Sequence, residues 1–214
     1  MTIYTQQLNE GLTKLGLTLE TEVSEKLLDY LELLSKWNRV YSLTAITEPS
    51  RMVSHHLLDS MAALPPITGI MPEGGRLLDV GSGGGQPGIP FAIARPDWQI
   101  TLLDSNHKKT TFLRQAVIEL GLKNVSVICD RVEAVPAEHP FDVITSRAFA
   151  DLGDFVRLTR HLLTKGGQWA ALKGVRPYEE MAALPSDIHT RVVESLDVPG
   201  LAAERCVVFM EPSE

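Results

Sequence analysis

The sequence predicts a Rossmann-like α/β fold, a mostly parallel seven-stranded sheet with an antiparallel last strand, behind a helical amino-terminal cap. Three observations carry the prediction. From Arg76 onward, short apolar runs alternate with helical patterns, which calls for parallel strands joined by right-handed crossovers. The last two strand-like runs are separated only by Pro199–Ala203, too short a gap for a crossover helix, so they pair antiparallel. The first run, RLLDV, leads directly into GSGGGQPG, which holds five glycines in eight positions, as a ligand-binding turn after a first strand does.

Taken in order, residues 1–64 read as the helical cap. In the stretch beginning Ser24, apolar side chains recur at Leu27, Leu28, Leu31, Leu34 and Trp37, close to helical period, with Ser24 placed to cap the helix. A second helix starts at Pro49, a residue suited to a first turn, and is expected to end at Pro65-Pro66. Residues 65–75 form a connector, and 76–214 the sheet domain. Its strands are expected at 76–80, 99–104, 125–129, 141–146, 168–173, 190–198 and 204–211. Helices are expected at 89–94, 108–120 and 152–163.

Bulk properties bound the function. A chain of 214 residues, 44% hydrophobic, can bury one good core. No window has the apolar length of a membrane helix, and the amino terminus lacks a basic start and apolar run, which places the protein in the cytoplasm, away from membranes. Cys129 and Cys206 are isolated within apolar runs and read as reduced core residues, with no metal site. A net charge of −7 argues against gripping bare nucleic acid by charge alone but leaves room for a local basic patch.

The glycines decide the ligand. Gly83, Gly85 and Gly88 match the dinucleotide pattern G-x-G-x-x-G, but Pro87 interrupts it, and no Gly-Lys-Ser/Thr comes after it to make a P-loop. The better template is acid-x-G-x-G-x-G: Asp79, Gly81, Gly83, Gly85. A carboxylate at the strand end would be repelled by a pyrophosphate but attracted to the ammonium and sulfonium of S-adenosyl-L-methionine. Glycine lets the backbone approach such a ligand closely. Asp104, ending the second strand, falls where an acid meets ribose hydroxyls in either class of ligand. Val132 and Glu133, after the third strand, are placed to touch adenine. The antiparallel closing pair favours S-adenosylmethionine over a nicotinamide dinucleotide, whose sheets usually continue parallel.

The acceptor is read from what is missing. No Asp/Asn-Pro-Pro-aromatic turn succeeds the fourth strand, where SRAFADL stands, and no loop cysteine is placed to activate a pyrimidine carbon. An acceptor that is already nucleophilic, such as guanine N7 or a sulfur, or a hydroxyl or small amine helped by a base, remains open. N7 needs only alignment of its lone pair. Arg147, just after the fourth strand, projects over the carboxyl edge of the sheet towards a ligand anion or an RNA phosphate. Lys36, Arg39, Arg51, His55 and His56 in the cap, with His107, Lys108, Lys109 and Arg114, are candidates for an RNA-facing patch. Arg39, Arg51, His56 and Lys108 are the leading ones. His55 and His56 have no acid–serine partners that would make them catalytic.

The segments KWNRVYSLTAITEP, HHLLDS, LLDVGSGGGQPGIPFAIARP, LLDSNHKKTTFLRQ, RVE, SRAFA and ALKG succeed one another as in the glucose-inhibited division protein B family, which the sequence resembles. These are bacterial small-subunit ribosomal RNA methyltransferases that modify guanine N7. The resemblance runs from about Leu8 to Val208. It implies a Class I S-adenosylmethionine-dependent methyltransferase fold, S-adenosyl-L-methionine as donor, and a guanine of 16S ribosomal RNA near the decoding centre as acceptor; the partner expected is that RNA within the small ribosomal subunit, and the enzyme is expected to be a monomer. Carried over by position, the cofactor contacts fall on Gly81, Gln86, Val132, Glu133 and Arg147; Asp79, Gly83, Gly85 and Asp104 come from the residues themselves. Ser42 stands where the family usually has asparagine, His55 where arginine is common, and Gln86 where the loop is usually apolar. The competing readings are a small-molecule methyltransferase whose cap closes over a metabolite, and a non-catalytic ribosome assembly factor.

Overall fold

The structure, a computed structural model, describes residues 3–213; Met1, Thr2 and Glu214, the outer ends of the expected cap and sheet domain, lie outside them. Helices α1 (Ile3–Lys14), α2 (Thr21–Tyr41), α3 (Pro49–Met52), α4 (Asp59–Ala62) and α5 (Leu64–Thr68) precede the sheet. A π-helical stretch, Val53–Leu58, joins α3 to α4. The strands are β1 (Arg76–Val80), β2 (Gln99–Leu103), β3 (Val125–Ile128), β4 (Phe141–Arg147), β5 (Leu163–Lys173), β6 (Ile188–Ser195) and β7 (Cys206–Pro212). Between them lie α6 (Gly88–Ala94), α7 (His107–Glu119), α8 (Leu152–Thr159) and α9 (Tyr178–Ala182). No described helix is long and apolar enough to cross a membrane.

The sheet order is β3-β2-β1-β4-β5-β7-β6. Strands β1 to β5 pair parallel, and β7 runs antiparallel between β5 and β6, as the short Pro199–Ala203 link requires. Strand order reverses between β1 and β4, which opens a crevice at their carboxyl ends, the usual ligand position of such sheets. Alternation along each strand divides the core. Leu77, Val143, Ala170 and Leu172 face the cap helices, α6 and α7, whereas Leu78, Val80, Ile144, Trp169 and Ala171 face α8. The cap therefore shares one core with the sheet: Leu8, Leu27 and Leu34 join Ile89, Phe91 and Phe112, and the Trp37 and Phe112 rings lie 5.7 Å apart.

Several boundaries differ from the sequence reading. Ser24 does not cap α2. The helix starts three residues earlier, after the extended Glu20, and Ser24 already donates its backbone N–H to Glu20 O. Pro65-Pro66 does not end the helical run but opens α5, where a first-turn proline lacks only an N–H that would have no helical partner. β5 begins at Leu163, five residues before its apolar run, because an irregularity opposite Phe141–Val143 absorbs Gly166 at φ +80°. Arg147 is the last residue of β4, paired with Leu172, and so remains anchored in the sheet. Cys206 is buried and Cys129 half-buried, both free thiols.

Gly88 sets how closely α6 sits on the sheet. A Cβ there would lie 2.3 Å from Leu102 Cδ2 and 2.8 Å from Asp79 Oδ2. Overpacking of this kind costs typically about 1–3 kcal/mol. Gly88→Ala is expected to lower unfolding free energy by about that amount in urea titration; an unchanged midpoint would show that Leu102 swings away freely.

Candidate active site

The loop after β1 is tied to the end of β2. Gly81 and Ser82 both donate N–H to Leu103 O, at 2.8 and 3.0 Å, and Ser82 Oγ donates to Asp79 O while accepting from Leu103 N. Gly81, Gly83 and Gly85 have φ of +70°, +57° and +97°, a region side chains resist. Asp104 then receives the loop: its Oδ2 accepts from Gly83 N at 3.0 Å and its Oδ1 from Asn106 N at 2.8 Å, with Lys109 Nζ 3.9 Å away. These bonds hold the carboxylate at the wall of a cavity of about 370 Å³, also lined by Gly81, Val132, Glu133 and Phe149. Four of the expected cofactor residues thus meet on one cavity, and Gly83 adjoins it through Asp104.

The remaining expected cofactor residues are placed elsewhere. Asp79 is fully buried and lies beneath the loop, where Oδ2 accepts from Gly88 N at 3.1 Å at the start of α6. The expectation of an acid beside the ligand is corrected here: alternation in β1 sends Asp79 to the same face as Leu77, under α6. Burial raises its pKa to about 7, against the lowering effects of the Gly88 N–H, the Ser82 hydroxyl and the Arg147 charge. Gly85 is also a packing position, since a Cβ there would lie 2.5 Å from Ile89 Cδ1.

Gln86 belongs to a buried polar chain that links cap to sheet. Tyr30 Oη donates to Gly84 O at 2.6 Å and accepts from Gln86 Nε2. Gln86 Oε1 accepts from Arg147 Nη2 at 3.1 Å, and Arg147 Nη1 donates to Asp59 Oδ2 at 3.0 Å and His55 O at 3.1 Å. Arg205 Nε, just before β7, donates to Asp59 Oδ1 at 2.8 Å. Burial pushes the Tyr30 hydroxyl pKa far up, so it stays protonated and able to donate. Sequence reasoning missed Tyr30, Asp59 and Arg205. An acid inside the apolar run LLDSMAA was the available signal for Asp59, because an acid on a buried face needs a partner.

This chain borders a second cavity of about 560 Å³, whose lining includes His56, Asp59, Arg147, Ala148, Lys173 and Arg205. Ala148 lines both cavities and takes a left-handed turn, φ +56°, that carries the chain from Arg147 to Phe149. The two spaces therefore share a wall at Ala148, just past the end of β4, where strand order reverses.

Of the leading RNA-facing candidates, Arg39, Arg51 and Lys108 are exposed. His56 is not: it is 4% exposed, with Nε2 3.0 Å from Thr44 Oγ1. Burial, then the charge of Arg147, lowers its pKa to about 4, which keeps the ring neutral and rules it out as a cationic phosphate contact. The π-helical stretch turns it inward, a detail that a 3.6-residue pattern does not reveal. Lys36 and Arg39 share a groove of about 700 Å³ with Glu25, Asp29 and Glu32, so the cap surface is mixed in sign there.

The family model for rRNA small subunit methyltransferase G (GidB) matches residues 23–208. The chain belongs to this family. It is 63% identical over 203 residues to ribosomal RNA small subunit methyltransferase G of Laribacter hongkongensis, covering 95% of this chain and 96% of that one. It is 58% identical over 210 residues to the protein of the same name from Chromobacterium violaceum, covering 98% and 99%. Among solved structures, an S-adenosylmethionine-dependent methyltransferase from Geobacter sulfurreducens in complex with S-adenosyl-L-homocysteine superposes with a TM-score of 0.56 at 13% identity, covering 85% of this chain and 98% of that one. TrmN from Thermus thermophilus gives 0.55 at 23% identity, covering 75% and 53%. The fold is that of the Class I methyltransferases, and the enzyme is an S-adenosylmethionine-dependent rRNA methyltransferase.

Asp79 and His56 act oppositely on the pH dependence of stability. The folded pKa of Asp79 lies above its unfolded value of 3.8, so the folded state holds a proton that the unfolded state has lost, and stability falls as pH rises from about 4 to about 7. The folded pKa of His56 lies below 6.5, so its contribution is complete above pH 6.5 and is lost as pH falls towards about 4. Asp79→Asn removes the first effect. The variant's unfolding free energy, relative to the parent's, is expected to rise between pH 4 and 7 and then level off, as read by denaturant titration at each pH; a constant difference would contradict the burial argument.

Proposed function

We propose that the enzyme transfers a methyl group from S-adenosyl-L-methionine to N7 of a guanine in 16S ribosomal RNA, acting as a cytoplasmic monomer on the small ribosomal subunit. The observation that carries this reading is the wall shared by two cavities at Ala148, one bounded by the Asp104 carboxylate and the other by the Arg147–Asp59–Arg205 cluster. Adjoining donor and acceptor sites are what direct group transfer needs.

In the smaller cavity, Asp104 takes the ribose hydroxyls, Val132 and Glu133 border the adenine, and Gly81 and Gly83 allow close backbone approach. Arg147, on the wall of the larger cavity beside Ala148, takes the methionyl carboxylate while keeping its bonds to Gln86, Asp59 and His55. The bound cofactor supplies an electrophilic methyl group on a sulfonium. The guanine N7 lone pair would form the new N–C bond as the C–S bond broke, and the bonding pair of that C–S bond would leave with sulfur, giving S-adenosylhomocysteine. No proton moves, so the step needs no general base; of the two histidines lining the second cavity, His56 is buried and hydrogen-bonded to Thr44. Arg39 on α2 and Lys108 at the start of α7 lie on helices that pack together, and with Arg51 on α3 they face the RNA phosphates.

The deciding experiment incubates the enzyme with labelled S-adenosylmethionine and small subunits lacking the modification, then maps the methylated base. Label at guanine N7 of 16S RNA is the expected result; label only in a small metabolite would overturn the reading. Asp104→Ala is expected to weaken S-adenosylhomocysteine binding by ten- to a hundred-fold, about 1.5–3 kcal/mol, in calorimetry without RNA. Neutralising Arg39 and Arg51 together is expected to reduce methylation of subunits and flatten its salt dependence. If rate and salt slope both stayed at parental values, the RNA surface would lie elsewhere.

A further inference from the structure

Asp59 enters the larger cavity from the cap and is the acidic residue of its lining. Its side chain is 5% exposed, and its two oxygens are held separately, Oδ2 by Arg147 and Oδ1 by Arg205. Each held oxygen has a second lone-pair direction, since a carboxylate offers about four acceptor sites. A fixed carboxylate with two parallel acceptors, in a cavity beside the donor site, matches a partner that presents two adjacent N–H groups.

Guanine has such an edge. Its N1–H and exocyclic N2–H₂ lie side by side, whereas N7 lies on the far side of the ring, with O6 between it and N1–H. A base gripped by the first edge leaves N7 free to face the donor cavity. Adenine would bring an acceptor nitrogen against the same oxygens and be repelled. Methylation at N7 also makes the ring cationic, which strengthens its N–H donors, so an acceptor there binds the transition state more tightly than the ground state.

We propose that Asp59 is the residue that selects guanine, accepting N1–H and N2–H₂ of the target base while Arg147 and Arg205 hold its carboxylate in place. This rests on the assignment of the larger cavity as the acceptor site in the function proposed above. The guanidiniums provide orientation: a carboxylate held on two sides cannot rotate away from the base, and fixed geometry is what makes such recognition selective.

The test uses reconstituted small subunits that carry either guanine or inosine at the mapped position. Inosine keeps N7, O6 and N1–H but lacks the N2 amine. The native enzyme is expected to favour guanine at least ten-fold in kcat/KM, and also in equilibrium binding of the particle to enzyme saturated with S-adenosylhomocysteine. Asp59→Asn, whose amide replaces one acceptor by a donor, is expected to bring the guanine-to-inosine ratio to within about three-fold in both measurements. Circular dichroism and thermal unfolding establish that this variant folds. Should it not fold, the native enzyme's own ratio decides, and equal use of guanine and inosine would overturn the proposal. A folded Asp59→Asn enzyme with the native ratio would overturn it as well. Absence of any methylation at guanine N7 in native-enzyme reactions would instead strike the function proposed above, so the two failures are distinct.

Discussion

The Asp59 carboxylate, held between Arg147 and Arg205, is the joint on which the site depends. Its three members come from the cap, the end of β4 and the residue before β7, parts of the chain that share no local sequence. Removing one partner of a buried ion pair typically costs about 3–5 kcal/mol, reduced here because both guanidiniums are about a quarter exposed. One carboxylate against two guanidiniums leaves a positive excess at the mouth between the cavities. Under the proposed function, that excess would suit a cofactor carboxylate and nearby RNA phosphates better than a neutral pair would. The joint extends through Gln86 and Tyr30 to the carbonyl of Gly84, so the position of the cap and the shape of the glycine loop are set together.

The glycine motif proves to be two devices in one stretch. Gly81 and Gly83 shape the surface that faces the ligand crevice, and Gly83 hands its N–H to Asp104. Gly85 and Gly88 face inward, making room for Ile89, Leu102 and the Asp79 carboxyl. Asp79 therefore acts through α6: it accepts from the first N–H of that helix, where a carboxyl group also suits the helix dipole. Its raised pKa measures how dry that place is.

Much of the fold was legible because it derives from period and spacing. The parallel strands, the three long crossover helices and the antiparallel closing pair came from alternation and from the length of one link. That Asp104, Val132 and Glu133 line one cavity follows from their places, Asp104 just past β2 and the other two in the turn after β3. What stayed hidden depends on the third dimension. The facing of Asp79 turns on which side of β1 packs under α6, and a motif states only that an acid is present. The burial of His56 arises from a π-helical stretch that a helical count cannot anticipate. Asp59 and Tyr30 sat in amphipathic patterns as unremarked polar positions, because their partners lie 88 and 54 or more residues away. A polar residue on an apolar face shows locally that a partner is needed, but not which distant residue supplies it.

The direction of β7 has a consequence for how such an enzyme can be assembled. In a parallel sheet every strand presents its finish to the ligand edge, so each contributes there only its last residues and the loop beyond them. Because β7 runs backwards, it presents its start: Cys206 pairs with Lys173, the last residue of β5, and Arg205 is delivered to the rim before the strand begins. A strand of the same sequence laid the other way would carry Arg205 to the far side of the molecule and leave Asp59 gripped from one side only. The lone reversal among the described strands thus lets the last of them reach back to the cap, and Arg205 ties the two together at the rim of the larger cavity.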